Sequence, residues 1–205
     1  MDALPVRWWD GGGFASTPVS ASSAQIVGVR GQPDRVTARR TIRSALLAAL
    51  VEASGLASSS IQLCGAPGFA PYALLDGGRR IALSISHDGD LSVAAMQLDG
   101  GAVGIDLMQV TDFADWHAVS RDYLGPACAA ALARVPAHVR AAAFARAWSE
   151  REARLKCLGL PLAEWRAGDE SDLQGCHCLS LALPDGYVGS AAVKPASVAD
   201  GESPY

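Results

Sequence analysis

Lysine is almost missing from this chain: of 17 basic residues only Lys156 and Lys194 are lysines, and the rest are arginines. Long hydrophobic runs are missing too. No apolar stretch exceeds about seven residues, against the roughly 18 that a bilayer span requires, so no membrane partner is expected. The opening Met1-Asp2-Ala3-Leu4-Pro5 shows no basic segment followed by an apolar one, and no secretory leader is expected. The five cysteines, Cys64, Cys128, Cys157, Cys176 and Cys178, are odd in number and lack the spacing of a disulfide framework, which points to a reducing cytoplasm. A positive charge balance is also lacking. The formal net charge is -4, whereas a general nucleic-acid binder would usually be basic, so no nucleic-acid partner is expected.

What is present describes a globular protein. Half of the 205 residues are hydrophobic and 19% are charged, which excludes a disordered or coiled-coil chain and allows a sizeable core. The length suits one domain or two small packed halves. A helix is expected from Val36 to Ala53, with Ile42, Leu46, Leu47 and Leu50 as its apolar stripe and Gly55 as its stop. Arg35, Arg39, Arg40 and Arg43 at its start are either a solvated basic face or an anion site. After turn-rich residues 65–72, three strands are expected at Ile81–Ser86, Leu91–Gln97 and Ala102–Leu107. Short turns join them into an antiparallel meander. Tyr123-Leu124-Gly125-Pro126 opens an Ala-rich helix, and a long helix should run from Pro136 to Leu158 before Gly159. Strands at Cys176–Leu183 and Tyr187–Val193 close the chain. Helix followed by strands in both parts gives an α+β class, divided at residues 1–101 and 102–205.

Three groups of residues carry candidate chemistry. Ser84-Ile85-Ser86-His87 ends a strand and can present a hydroxyl and an imidazole, or be an ordinary turn. In Val103-Gly104-Ile105-Asp106-Leu107-Met108, strand alternation puts Gly104, Asp106 and Met108 on one face. Asp106 is an acid in an apolar strand and needs a cation or a capping role. In Trp148-Ser149-Glu150-Arg151-Glu152-Ala153-Arg154-Leu155-Lys156, Phe144, Trp148, Leu155 and Leu158 make an apolar stripe. Glu152 and Lys156 lie one turn apart on its border, either reaching into a cleft or forming an ordinary surface pair. Cys176-His177-Cys178 suggests a metal site, but no second ligand pair accompanies it and the segment reads as a strand.

Taken together and in this order, the three groups resemble the surfactin-type 4'-phosphopantetheinyl transferases. Gly104-Ile105-Asp106 is similar to that family's Gly-x-Asp motif. Trp148 to Lys156 is similar to its Trp-x-x-Lys-Glu-Ala-x-x-Lys helix, and Ser86-His87 to its Ser-His pair. Gly68-Phe69-Ala70-Pro71-Tyr72 is similar to its Gly-Lys-Pro segment, and Arg39-Arg40 to its basic helix. The resemblance covers about Arg35 to Trp165 and leaves the first 30 residues unaccounted for.

The resemblance implies a pseudo-dimer of two similar α+β halves with coenzyme A between them. It implies transfer of phosphopantetheine to a serine of an acyl or peptidyl carrier protein by a cytoplasmic monomer. Asp106 and Glu152 would hold Mg²⁺, with Mn²⁺ as an alternative. Glu152, or a water it orients, would take the serine proton, and Lys156 would neutralise the leaving phosphate. Arg40, Pro71, Tyr72, Ser86, His87 and Lys156 would bind coenzyme A. The sequence departs from the family pattern at Met108, where many members carry a second acid, at Ala70 in place of the segment's Lys, and at Arg151 before the motif Glu. Arg35, Arg79 or Arg80 are candidates to compensate for Ala70. Arg151 and Arg154 are candidates to draw in an acidic carrier. Two other functions compete: a relative that binds coenzyme A or a carrier without transfer, and a hydrolase built on Ser86, His87 and Asp106. Adjacent Ser and His on one strand point to opposite faces, which counts against the hydrolase.

Overall fold

The computed structural model describes residues 3–14, 23–32, 34–66 and 69–196. The elements in chain order are β1 (Arg7–Trp8), β2 (Ala24–Arg30), α1 (Arg35–Ser54), β3 (Ile61–Cys64), β4 (Tyr72–Leu75), β5 (Arg80–Asp88), β6 (Leu91–Gln97), β7 (Ala102–Gln109), α2 (Trp116–Val119), α3 (Pro126–Ala133), α4 (Ala137–Leu158), α5 (Asp169–Asp172), β8 (His177–Ser180) and β9 (Tyr187–Lys194). Short 3₁₀ and π turns lie between them.

The two long helices begin and end where local chemistry dictates. Asp34 caps α1, accepting from the backbone N–H groups of Val36 and Thr37 at 2.8 and 2.9 Å. Gly55 ends α1 and Gly159 ends α4, both in the left-handed conformation that glycine adopts without steric cost.

The strands form two sheets. One has the order β1-β2-β6-β5-β4-β3 and the other β7-β9-β8. The expected meander therefore holds only for β5 and β6. The third strand, β7, leaves that sheet and pairs antiparallel with β9 from Ala102↔Lys194 to Gln109↔Tyr187. Gly101 permits the crossing, since a Cβ there would lie 2.1 Å from the Lys194 carbonyl oxygen.

The sheets stack face to face, with a helix on each outer side. Ile42, Leu46 and Leu50 of α1 pack on Val27, Val29, Ile81, Leu83 and Met96 of the larger sheet. Its other face places Ile26, Val93 and Ala95 against Val103, Ile105, Leu107 and Ala191 of the smaller sheet. Helix α4 covers the far side of β7 and β9. The result is a four-layer α–β–β–α arrangement of the α+β class. The fully buried pattern of β6 follows from its place inside it. Among the described residues no helix is long and apolar enough to cross a membrane.

Candidate active site

Strand β5 serves both faces of the larger sheet. Leu83, Ile85 and His87 point toward the α1 side, and Ser84, Ser86 and Asp88 point toward the second sheet. Strand β4 pairs with β5 only as far as Tyr72↔Ala82, so the outer edge of β5 beyond Ala82 is unpaired by β4. There an open cleft of about 800 Å³ forms. Its walls include Arg35, Arg39 and Arg43 of α1, Phe69, Ala70 and Pro71 of the preceding loop, Ser84 and His87 of β5, and Lys156, Leu160 and Pro161 at the end of α4. The three arginines are spaced by four residues and share a helix face. A chain of net charge -4 thus turns a concentrated positive face into this cleft.

On the far side of the smaller sheet, α4 lies unusually close to β7. A Cβ on Gly104 would sit 1.9 Å from the Ala153 carbonyl oxygen and 2.4 Å from the Cys157 nitrogen, so only glycine fits. Small residues of α4 face this contact: Ala153 and Cys157 are buried, and the hydroxyls of Ser149 and Ser190 meet at 3.1 Å. The apolar stripe expected on α4 does not act as one surface. Phe144 and Trp148 pack with Leu124 and Leu132, whereas Leu158 packs near Cys157 and Cys176. Long aliphatic side chains would hold the helix off the sheet.

Close packing brings three expected residues together. Lys156 Nζ donates to Asp106 Oδ1 at 2.7 Å and to the Ile105 carbonyl at 3.2 Å. Ser86 Oγ donates to the same Asp106 oxygen at 2.8 Å. Burial pushes the Asp106 carboxyl above its ordinary range, against the pull of Lys156 and Ser86. Burial likewise raises Glu152, with the neighbouring Asp106 charge adding to it and Lys156 opposing it. Glu152 accepts no hydrogen bond from the described residues.

His87 stands at the junction of cleft and carboxylates. Its Nδ1 lies 2.6 Å from Ser92 Oγ. Burial and the charges of Arg35, Arg39 and Lys156 push its pKa down, keeping the ring neutral near neutral pH.

Other expected residues are placed differently. Arg40 and Tyr72 do not line the cleft; Arg40 is turned about 100° from Arg39 around the helix, and Tyr72 lies under the Arg80 guanidinium. Ser86 is 6% exposed and also lies outside the cleft wall. Of the arginines considered near Ala70, only Arg35 reaches the cleft; Arg79 instead donates to the Leu98 carbonyl. Arg151 is buried against Asp169 at 3.2 Å, and Arg154 pairs with Glu150 at 2.5 Å, so neither offers a free charge to a carrier. Met108 packs against the apolar cluster of Leu124, Leu132 and Phe144, so an apolar wall stands where a further acid would be. With Ser86 bonded to Asp106 and His87 to Ser92, Ser86 and His87 do not form the nucleophile pair that a hydrolase would need. Cys176 and Cys178 pack around Cys157, while His177 is exposed.

Sequence reasoning did not single out Phe69, Leu160 or Pro161. Phe69 is 78% exposed at the cleft mouth, and a large exposed aromatic there is visible only in three dimensions.

Residues 102–188 match the family model of the 4'-phosphopantetheinyl transferase superfamily. That stretch contains β7, α4 and the start of β9, and so carries Asp106, Glu152 and Lys156. No curated protein matches the chain.

Proposed function

We propose that this chain transfers the 4'-phosphopantetheine group of coenzyme A to a serine hydroxyl of an acyl or peptidyl carrier protein, releasing adenosine 3',5'-bisphosphate. The observation that carries this reading is the meeting of an arginine-lined cleft with the Asp106–Lys156–Glu152 group through one residue, Lys156, which belongs to both. Coenzyme A is a polyanion, and Arg35, Arg39, Arg43 and His87 offer the charge-assisted donors its phosphates require. The two layered parts are read as the halves of a pseudo-dimer with the substrate between them.

The carboxylates fit a hard divalent cation. Among the described residues Glu152 has no hydrogen-bond donor, the nearby Asp106 charge adds to the rise that burial gives the Glu152 pKa, and the donors to Asp106 act on Oδ1. Asp106 and Glu152 would hold Mg²⁺ or Mn²⁺, leaving the other positions to water and phosphate oxygens. The bound cation supplies neutralisation of pyrophosphate charge.

The chain's own groups account for the rest. The carrier serine oxygen attacks the phosphorus that bears the pantetheine arm. The bond from that phosphorus to the bridging oxygen breaks, and the electron pair leaves with the nucleotide. Glu152, or a water it orients, takes the serine proton; its raised pKa brings it nearer the working pH. Lys156 neutralises charge on the departing phosphate. Five cysteines, an odd number without the spacing of a disulfide framework, suit a cytoplasmic location, and a site whose residues come from one chain suits a monomer.

The test is intact-mass spectrometry of a panel of apo carrier proteins incubated with the chain, coenzyme A and Mg²⁺. A gain of one phosphopantetheine, abolished by EDTA, is expected. No gain on any carrier by folded protein that binds coenzyme A would favour the reading as a non-transferring binder, for which the apolar wall at Met108 is the supporting feature.

A further inference from the structure

The two sheets are joined by a ladder of period two. Ser84 Oγ accepts from the Ile105 N–H at 3.0 Å, Ser86 Oγ from Leu107 at 3.3 Å, and Asp88 Oδ2 from Gln109 at 2.7 Å. These alternate residues of β5 satisfy alternate backbone donors of β7, which would otherwise be an open edge. One rung does more. Ser86 Oγ accepts from Leu107 with one of its lone pairs, and its single proton goes to Asp106 Oδ1 at 2.8 Å. At 6% exposure the hydroxyl has no proton left for a substrate phosphate.

We propose that Ser86 is a positioning residue that holds the Asp106 carboxylate for cation binding, and not a coenzyme A ligand as the family resemblance implies. The proposal deepens the functional reading and rests on Asp106 being a cation ligand. Ser86 and Lys156 both bond Oδ1, fixing the carboxylate's rotation and leaving Oδ2 without a donor among the described residues. Supporting hydrogen bonds of this kind set the orientation of ligand carboxylates. His87, one residue on and facing the other side of the sheet, is the member of the pair that reaches the cleft.

Two equilibrium measurements on the full chain test this: Mn²⁺ binding followed by electron paramagnetic resonance, and metal-free coenzyme A binding by calorimetry. Ser86→Ala is expected to weaken Mn²⁺ about tenfold, the lower end for loss of a supporting hydrogen bond. Its coenzyme A affinity should stay within about twofold, the usual scatter for a residue outside the binding surface. Ser86→Thr, which keeps the hydroxyl, should restore Mn²⁺ affinity. Ser84→Ala removes a rung without touching Asp106; because Ser84 also lines the cleft it is read for Mn²⁺ affinity alone, which should stay unchanged and so separates positioning from general loosening of the seam. If Ser86→Ala does not fold, Ser86→Cys keeps the shape with a weak donor and should show the same Mn²⁺ loss. Weakened coenzyme A binding with unchanged Mn²⁺ affinity would overturn the proposal, as would no change in either. Neither readout needs a carrier or turnover. A wild-type chain that binds Mn²⁺ but transfers nothing overturns the proposed function alone, and one that binds no Mn²⁺ overturns this inference.

Discussion

Helix α1 meets its sheet through Ile42, Leu46 and Leu50, whereas α4 meets its sheet through Ser149, Ala153 and Cys157, with Gly104 beneath. Each choice suits what the helix presents. Branched side chains bury the inner face of α1 and leave Arg35, Arg39 and Arg43 on the rim of an open cleft, where reach and charge matter more than fixed geometry. Small side chains let α4 settle onto β7, where Lys156 touches both Asp106 and a β7 carbonyl. The first contact provides stability and a binding face; the second provides precise placement of acids and a cation.

The strongest way to break this contrast is Lys156→Ala. It removes the residue shared by cleft and carboxylates, and transfer should fall by about 10²–10³, as for loss of one preorganised electrostatic donor. Lys156→Arg should not restore it, because a planar fork replaces a compact ammonium. Single-turnover kinetics measures both.

A pair of packing variants sharpens the contrast. Leu46→Ala should cost about 2–5 kcal/mol of stability as a buried cavity mutation. Gly104→Ala should cost about 1–3 kcal/mol by overpacking. Denaturant melts give both values. The folded fraction of Leu46→Ala should transfer normally, while folded Gly104→Ala should transfer poorly because α4 is displaced from Asp106. Equal activity in the two would contradict the division of roles.

Smaller effects are expected in the cleft. Arg39→Ala should weaken coenzyme A about tenfold, the loss of one charge-assisted hydrogen bond. Arg40→Ala, turned away from the cleft, should change it by less than about twofold. Calorimetry distinguishes the two.

The smallest effect is one of pH. The folded state holds His87 below its ordinary value of 6.5, because burial and nearby cations disfavour its charge. In the window below 6.5 the unfolded chain binds more protons, so stability from this group is present above 6.5 and is lost as pH falls through that window. A bound phosphate acts in the opposite sense, raising the pKa of His87. Coenzyme A affinity should therefore rise as pH falls below neutrality, and His87→Ala should flatten the trend. Calorimetry across pH reads this directly.

Much of this was legible in the residues. Capping chemistry placed the long helices to within a residue or two, and Glu152 and Lys156 could be set one turn apart on α4. Asp106 stood out as a charge in an apolar strand. The rest depended on relations between elements. Strand periodicity put Val103, Ile105 and Leu107 on one face but could not say that this face stacks on β5 and β6 instead of pairing beside them. The arginine cluster suggested an anion site, yet which arginine faces it depends on how α1 sits on the sheet. The hydroxyl of Ser86 was visible, but its commitment to Asp106 comes from a ladder between strands some 20 residues apart. The stripe of Phe144, Trp148, Leu155 and Leu158 could be read from spacing, but not that its members divide between separate clusters while Ala153 and Cys157 meet the sheet.

The most direct measurement is single-turnover transfer by the wild-type chain and by Glu152→Gln to one apo carrier at saturating coenzyme A, with coenzyme A affinity taken on the same samples. The account predicts that the variant binds coenzyme A as the wild type does and transfers at least about 10²-fold more slowly, as for loss of a positioned base. Equal rates in the two proteins, or a loss confined to coenzyme A binding, would contradict it.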